Sequence, residues 1–242
     1  AGTLLGAVRH KGFIPWDDDL DIGMLREDYD RFIKVAAQEL SQEYFLQTWD
    51  TDEGFGLPFA KIRKNGTRFV EKNSAKTKGH KGIYVDIFPF DYAPVKKVKR
   101  ITHNVFTYVL KRIMLSKTGY EVWHDGNRMK RYSYKVLNFT AKFIPRSFCK
   151  HMLNKQMIKY NGVQSTHVVN IGGAYGYAKE TLKREWVEEL IAIKFEGVEF
   201  MCPEDYDGYL TYFYGDYMIP PPINERYNRH GIIEIVLGDE NG

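Results

Sequence analysis

Asp17, Asp18, Asp19 and Asp21 fall within five positions of the run W-D-D-D-L-D-I at Trp16 to Ile22. Carboxylates two residues apart on an extended chain project from one face, as oxygen ligands sharing a hard cation such as Mg2+ or Mn2+ must. Asp17, Asp19 and Asp21 have that spacing, and without a neutralising ion their charges repel. The plainer alternative is a solvated acidic turn leading into a strand. Against it, the acids alternate with Leu20, Ile22 and Met24, which read as the buried face. A third ligand is expected from a neighbouring strand. Asp86, inside the apolar run Ile83 to Phe88, is that candidate, because an unpaired charge there costs several kcal/mol, on the order given by transfer data. A buried pair with Arg63 or Arg68 is the other explanation of Asp86, and Asp91 is the other candidate acid. Just upstream of the acids, Gly2 and Thr3 open a short helix whose free amides and positive dipole end suit a phosphate, with Arg9 and His10 as further donors.

The elements that must position these groups follow from periodicity. Thr3 to Val8 reads as a helix, Asp17 to Met24 as a strand, and Asp28 to Leu40 as an amphipathic helix with Tyr29, Phe32, Ile33, Ala36 and Leu40 on its apolar stripe. Strands are expected at Tyr44 to Trp49, Phe59 to Arg63, Arg68 to Glu71 and Ile83 to Phe88, the last ended by Pro89. Val98, Ile101, Val105, Val109 and Ile113 make one helical stripe, and Met129 to Phe143 continues more loosely. A hairpin is expected at Ile191 to Phe195 and Val198 to Met201 around Glu196 and Gly197. A helix opened by Pro203 and closed by Gly215 follows it.

A hydrophobic fraction of 43% over 242 residues is enough for a substantial core and argues against disorder. Cys149 and Cys202, the two cysteines, lie far apart, so neither a disulfide framework nor a cysteine zinc site is expected. No apolar run approaches the roughly 20 residues that span a bilayer, because Lys111 and Arg112 break the best candidate. The expected location is cytoplasmic. Charge is unevenly spread: residues 96–160 carry sixteen Lys and Arg against Glu121 and Asp125, whereas the whole chain is only +4. Such a segment suits a polyanionic surface. Its apolar stripe either packs on the core with solvated charges, or lies peripherally on the inner face of the plasma membrane with Lys97, Arg100, Lys111 and Arg112 as flanks. Nucleic acid is not expected as a partner, since no base-reading motif is present.

The run Gly2-Thr3-Leu4-Leu5-Gly6, Arg9-His10 and Gly12-Phe13-Ile14-Pro15-Trp16-Asp17-Asp18-Asp19-Leu20-Asp21 resembles the signature of the LicD family, whose members also resemble fukutin and the fukutin-related protein. Gly82 to Pro89 and Tyr214-Gly215-Asp216-Tyr217 with Pro220 to Pro222 add weaker likeness, and residues 96–160 add none. The resemblance implies an α+β nucleotidyltransferase fold like that of DNA polymerase beta, a mixed sheet flanked by helices. Residues 1–95 would form the core, 96–160 a basic and mostly helical insertion, and 161–242 the part completing a single catalytic domain. Family members carry a helix and a strand before the glycine motif, so part of the family fold is expected to lie outside this chain. The implied reaction moves an alcohol phosphate, phosphocholine above all, from a CDP-alcohol donor such as CDP-choline to a sugar hydroxyl of a glycan or lipid-linked glycan. Teichoic acid, lipopolysaccharide and capsule precursors are the implied acceptors, and Mg2+ (or Mn2+) the implied cofactor. Nucleotidyl transfer from a nucleoside triphosphate, and transfer of ribitol, glycerol or sugar phosphate, remain open alternatives. Asp19, Asp21 and Asp86 would hold the metal, and whichever of Asp17 and Asp86 is less committed to it would act as base. Gly2, Thr3, Arg9 and His10 would meet donor phosphate. Trp16, Tyr84, Lys61 and Arg63 would meet substrate, with Trp16, Tyr84, Phe88, Phe90 and Tyr92 offering aromatic faces to a quaternary ammonium.

Overall fold

The protein was analysed as a computed structural model that describes residues 1–121, 132, 135, 137–139, 141–228 and 231–238. Helix α1 (Gly2–His10) ends at Lys11, whose left-handed backbone (φ 63°) turns the chain toward Ile14 in the core. Strand β1 (Asp21–Leu25) passes directly into helix α2 (Arg26–Glu39). Four strands follow: β2 (Tyr44–Gln47), β3 (Ala60–Lys64), β4 (Arg68–Glu71) and β5 (Tyr84–Tyr92). Then come α3 (Lys97–Thr118), α4 (Arg146–Met157), β6 (His167–Val169), β7 (Thr181–Lys183) and the single turn α5 (Glu185–Glu188). A hairpin of β8 (Leu190–Phe195) and β9 (Val198–Pro203), helix α6 (Tyr206–Tyr214) and strand β10 (Ile232–Val236) complete the order.

The principal sheet has six strands in the order β2-β3-β5-β6-β7, with β1 joined to β5. Only the β1–β5 pair is parallel, so the sheet is mixed as expected, though largely antiparallel. Helix α2 covers one face. Its Tyr29, Phe32, Ile33, Ala36 and Leu40 pack on Ile22, Met24, Leu46, Ala60 and Ile87. Fully burying one such aliphatic side chain is worth about 1.5–3 kcal/mol. A second core joins α1 to α6 through Leu5, Ile14, Trp186, Leu210 and Phe213, and a third joins α3 to α4 through Ile113, Met114, Cys149, Leu153 and Met157.

Several boundaries differ from expectation for identifiable reasons. The strand expected at Asp17 begins only at Asp21, because Thr3 rather than a neighbouring strand takes the Asp21 amide. Pro89 does not end β5, which runs on to Tyr92. The Asp86 amide donates toward β1, so by alternation Pro89 turns its missing N–H to the other side. There β3 has finished at Ile87 and β6 starts only at Asp91, so no ladder bond is lost. Pro203 closes β9 rather than opening a helix, and Asp205 caps α6 by accepting from the Gly208 amide at 2.9 Å. The hairpin turn falls at Glu196 and Gly197, both at positive φ, as expected.

The expected stripe on α3 meets the core only at Ile113; Val98, Ile101, Val105 and Val109 stay exposed. The buried side carries His103, Thr107 and Met114 instead, with the His103 ring bonded to Tyr177 Oη at 2.7 Å and the Gln156 carbonyl at 2.8 Å. Two expected flanks also turn inward. Arg100 donates to the Pro94 carbonyl (2.7 Å) and Lys111 to the Ile171 carbonyl (2.8 Å). Of the looser stretch expected at Met129 to Phe143, residues 129–131, 133, 134, 136 and 140 lie outside the described residues. Among the described residues no helix is long and apolar enough to cross a membrane, and both cysteines are free and buried.

Candidate active site

The acidic run is held in place by the glycine–threonine pair that opens α1. Thr3 Oγ1 accepts from the Asp21 amide at 2.9 Å and donates to the Asp19 carbonyl at 3.4 Å. Gly2 lies close to the acidic run: a Cβ there would stand 2.8 Å from Asp17 Oδ2, the movable end of that side chain. Gly6 is tighter still, since its Cβ would meet the Gly12 carbonyl oxygen at 2.5 Å, a backbone atom that cannot swing away. The first job of this motif is therefore to clamp the carboxylate-bearing loop onto the start of the helix.

Alternation along β1 and β5 then sorts the two faces. Ile22, Met24, Val85 and Ile87 go to the core beneath α2, while Asp21, Tyr84, Asp86, Phe88 and Phe90 border a cavity of about 910 Å3. Asp21 and Asp86 are direct partners in the parallel register, and Asp19 borders the same space. Burial pushes the Asp86 carboxyl up to about 6, with Lys61 opposing that rise and the Asp21 charge adding to it. Two carboxylates brought together in this way are oxygen donors of the kind a hard divalent cation takes. Lys61 Nζ stands 2.6 Å from Asp86 Oδ1, and among the described residues no three His, Cys, Asp or Glu side chains are grouped closely enough to hold a metal ion in this arrangement.

The other candidates separate into those at the cavity and those away from it. Thr3, Asp19, Asp21, Lys61, Tyr84 and Asp86 border it. Gly2, Arg9, His10, Trp16, Asp17 and Arg63 do not. Arg9 Nη1 donates to the Tyr217 carbonyl at 2.7 Å, His10 sits edge-on to Trp16, and the Arg226 guanidinium lies over the Trp16 ring. Arg63 is a buried strand residue that donates to Gln47 Oε1 (2.5 Å) and the Gly82 carbonyl (2.6 Å). Lys61 is likewise buried, so neither cation is a solvated loop charge. The Lys61 ammonium lies 3.3 Å from the Tyr84 ring centroid, so that aromatic face already holds a cation. Asp86 pairs with neither Arg63 nor Arg68: Arg68 instead grips Glu234 at the surface. Asp91 lies against α2, held by both arms of Arg26 (2.8 and 2.7 Å) and by Asn161 (2.7 Å), which makes it a structural acid.

Residues that the sequence did not assign to the site complete the cavity. Lys111 and Arg112 enter from the second half of α3, and burial lowers the Lys111 ammonium to about 8, with Arg112 adding to the shift. Glu180, buried and raised by that burial, accepts from the Tyr175 amide at 3.1 Å. The Asn170 side chain accepts from the Gly172 and Gly173 amides (2.9 and 3.1 Å) and so shapes the loop carrying Tyr175. The one available signal for that loop was the glycine-rich run I-G-G-A-Y-G-Y after a short apolar stretch.

Residues 1–117 match the LicD/FKTN/FKRP nucleotidyltransferase domain. The lipopolysaccharide cholinephosphotransferase LicD of Haemophilus influenzae is 32% identical over 240 residues, covering 95% of this chain and 84% of that protein. An uncharacterized protein of Rickettsia prowazekii is 75% identical over 104 residues, covering 41% of this chain and 38% of its own. Similarity that runs almost end to end and includes the clamped acidic loop places the chain in one family: it belongs to the LicD family of transferases.

Proposed function

We propose that the chain transfers phosphocholine from CDP-choline to a sugar hydroxyl of a cell-surface glycopolymer precursor, lipopolysaccharide being the acceptor class named for its Haemophilus influenzae relative. The observation that carries this reading is the shared cavity, in which Asp19, Asp21 and Asp86 meet Lys111 and Arg112 in about 910 Å3. That volume lies within the usual range for small-molecule and cofactor sites, roughly 300–1,000 Å3. Carboxylates beside cations suit a diphosphate bridged by a divalent ion.

Asp19, Asp21 and Asp86 line one cavity and would hold Mg2+ (or Mn2+) on drawing closer together than they stand in this structure; bound there, the ion would neutralise charge on the phosphoryl group and on the leaving nucleotide. The chain's own groups do the rest. Lys111 and Arg112 draw the donor phosphates to the acid-bearing wall, and Thr3 and Leu4 at the start of α1 border the same space. Lys61 holds Asp86 in position. The acceptor hydroxyl must lose a proton as it attacks, and a carboxylate with a raised pKa is suited to take it. Asp17 does not border the cavity, so Glu180 is assigned this role.

The test is transfer to lipopolysaccharide from three separately labelled donors: CDP-choline carrying label in choline, and CTP and ATP labelled at the α-phosphate. Choline label on the acceptor, lost on chelation and in Asp21→Asn, is the expected result. Acceptor labelling from CTP or ATP alone would replace this reading with nucleotidyl transfer.

A further inference from the structure

We infer that the first half of α3 is a docking surface for an anionic lipid bilayer. Val98, Ile101 and Val105 are 73%, 65% and 55% exposed, and Val109 and Phe106 are exposed as well. Val98, Ile101, Val105 and Val109 recur every three or four residues, one stripe along three helical turns. The inner side of the same turns is already filled by His103 and Thr107, so the stripe has no place in the core.

Charge identifies the occupant. Lys96, Lys97 and Lys99 are exposed at the start of α3, and the helix contains no acidic residue. Its first turn contains no acidic residue and its N-cap makes no side-chain cap bond, so three ammonium groups stand at the positive end of the helix dipole. An anion relieves that repulsion. A bilayer surface offers both complements at once, an apolar boundary for valine, isoleucine and phenylalanine and phosphate headgroups for the lysines. A second copy of the same face would match the apolar stripe but offers the lysines no anion, since α3 contains no acidic residue. Nucleic acid offers phosphates but nothing for the apolar stripe.

The same helix continues to Lys111, Arg112 and Leu115 at the cavity. From Val105 to Arg112 the axial rise is about 10 Å, so docking brings the cavity close to the headgroup layer. A lipid-borne acceptor would then be met at the surface. The docking itself is independent of what is transferred, and its test does not require turnover.

The experiment is co-sedimentation of the full chain with vesicles of phosphatidylcholine alone or mixed with phosphatidylglycerol. Two variants accompany it: Ile101→Ser with Val105→Ser, and Lys96→Gln with Lys97→Gln and Lys99→Gln. All five side chains are exposed, and thermal melting checks that each variant folds. Expected is salt-sensitive binding that requires phosphatidylglycerol, is lost in the serine variant, and falls about fivefold per lysine neutralised, the equivalent of about 1 kcal/mol each. Equal recovery on both vesicle types, no binding to either, or binding undiminished in both variants would overturn the proposal. A dimer in solution that Ile101→Ser dissociates, with no lipid dependence, would assign the face to a second copy instead.

Discussion

Asp86 and Asp91 lie five residues apart on β5, both buried, and they do opposite work. Asp91 points toward α2, where Arg26 and Asn161 supply three donors that neutralise and fix it. Asp86 points into the cavity, where Lys61 is its cationic partner and another acid, Asp21, stands in register. One carboxylate is saturated and bolts a helix to the sheet. The other has its pKa raised to about 6 chiefly by its burial, against the opposing pull of Lys61 and with a smaller push from Asp21. Burial is common to both acids; what differs is the set of donors that meets each carboxylate.

The contrast is open to direct attack, starting with the largest effect. Asp21→Asn and Asp86→Asn should each lower transfer about a thousandfold, about 4 kcal/mol of barrier, while circular dichroism and melting show an intact fold. Near-normal turnover in either at saturating Mg2+ would remove the acid pair from the chemistry. Asp91→Ala should do the reverse. It leaves the mostly buried Arg26 with only the long ion pair to Asp30 at 3.5 Å, at a cost approaching about 3–5 kcal/mol in denaturant unfolding, yet the folded fraction should keep its turnover. If Asp91→Ala folds normally and is inactive, the two roles have been exchanged.

Helix α3 allows a similar contrast with smaller effects. His103→Leu strands the Gln156 carbonyl and the Tyr177 hydroxyl, and unfolding measurements should show a loss of about 1–3 kcal/mol. Lys111 gives a pH signature. Its ammonium titrates near 8 in the fold against an ordinary 10.5, so below about pH 8 the fold bears the cost of a buried charge. Between about 8 and 10.5 the folded chain sheds that proton before the unfolded chain does, and its stability recovers. Relative to Lys111→Met, wild type should therefore gain stability as pH rises through that window; a constant difference would mean that Lys111 is not desolvated. The smallest effect belongs to Ile101→Ser, within about 0.5 kcal/mol, because the residue it replaces makes no part of the core.

Strand alternation was legible in the sequence because its period of two is local: Ile22 and Met24 could not face the core without turning Asp21 away from it. The amphipathic stripe of α2 and the hairpin at Glu196-Gly197 rest on neighbours in the chain, and the structure shows each where expected, as the family comparison does for the signature; of the acidic run, Asp19 and Asp21 reach the cavity and Asp17 does not. On α3 the same kind of reasoning identified a stripe but not its destination. A helix presents both faces equally, and only the partners waiting in space, Tyr177 and the Gln156 carbonyl for His103, decided that the mixed face went inward. Long-range placement settled the site in the same way. Arg9 was drawn to a carbonyl 208 residues away, Asp91 to Arg26, and Lys111 and Glu180 to the cavity. The sequence by itself determined the acidic run, its spacing and the family it signals, since those are properties of side chains and short spacings. Tertiary structure decided which side chains share a space, because desolvation and pairing depend on groups distant in the chain that folding alone brings together.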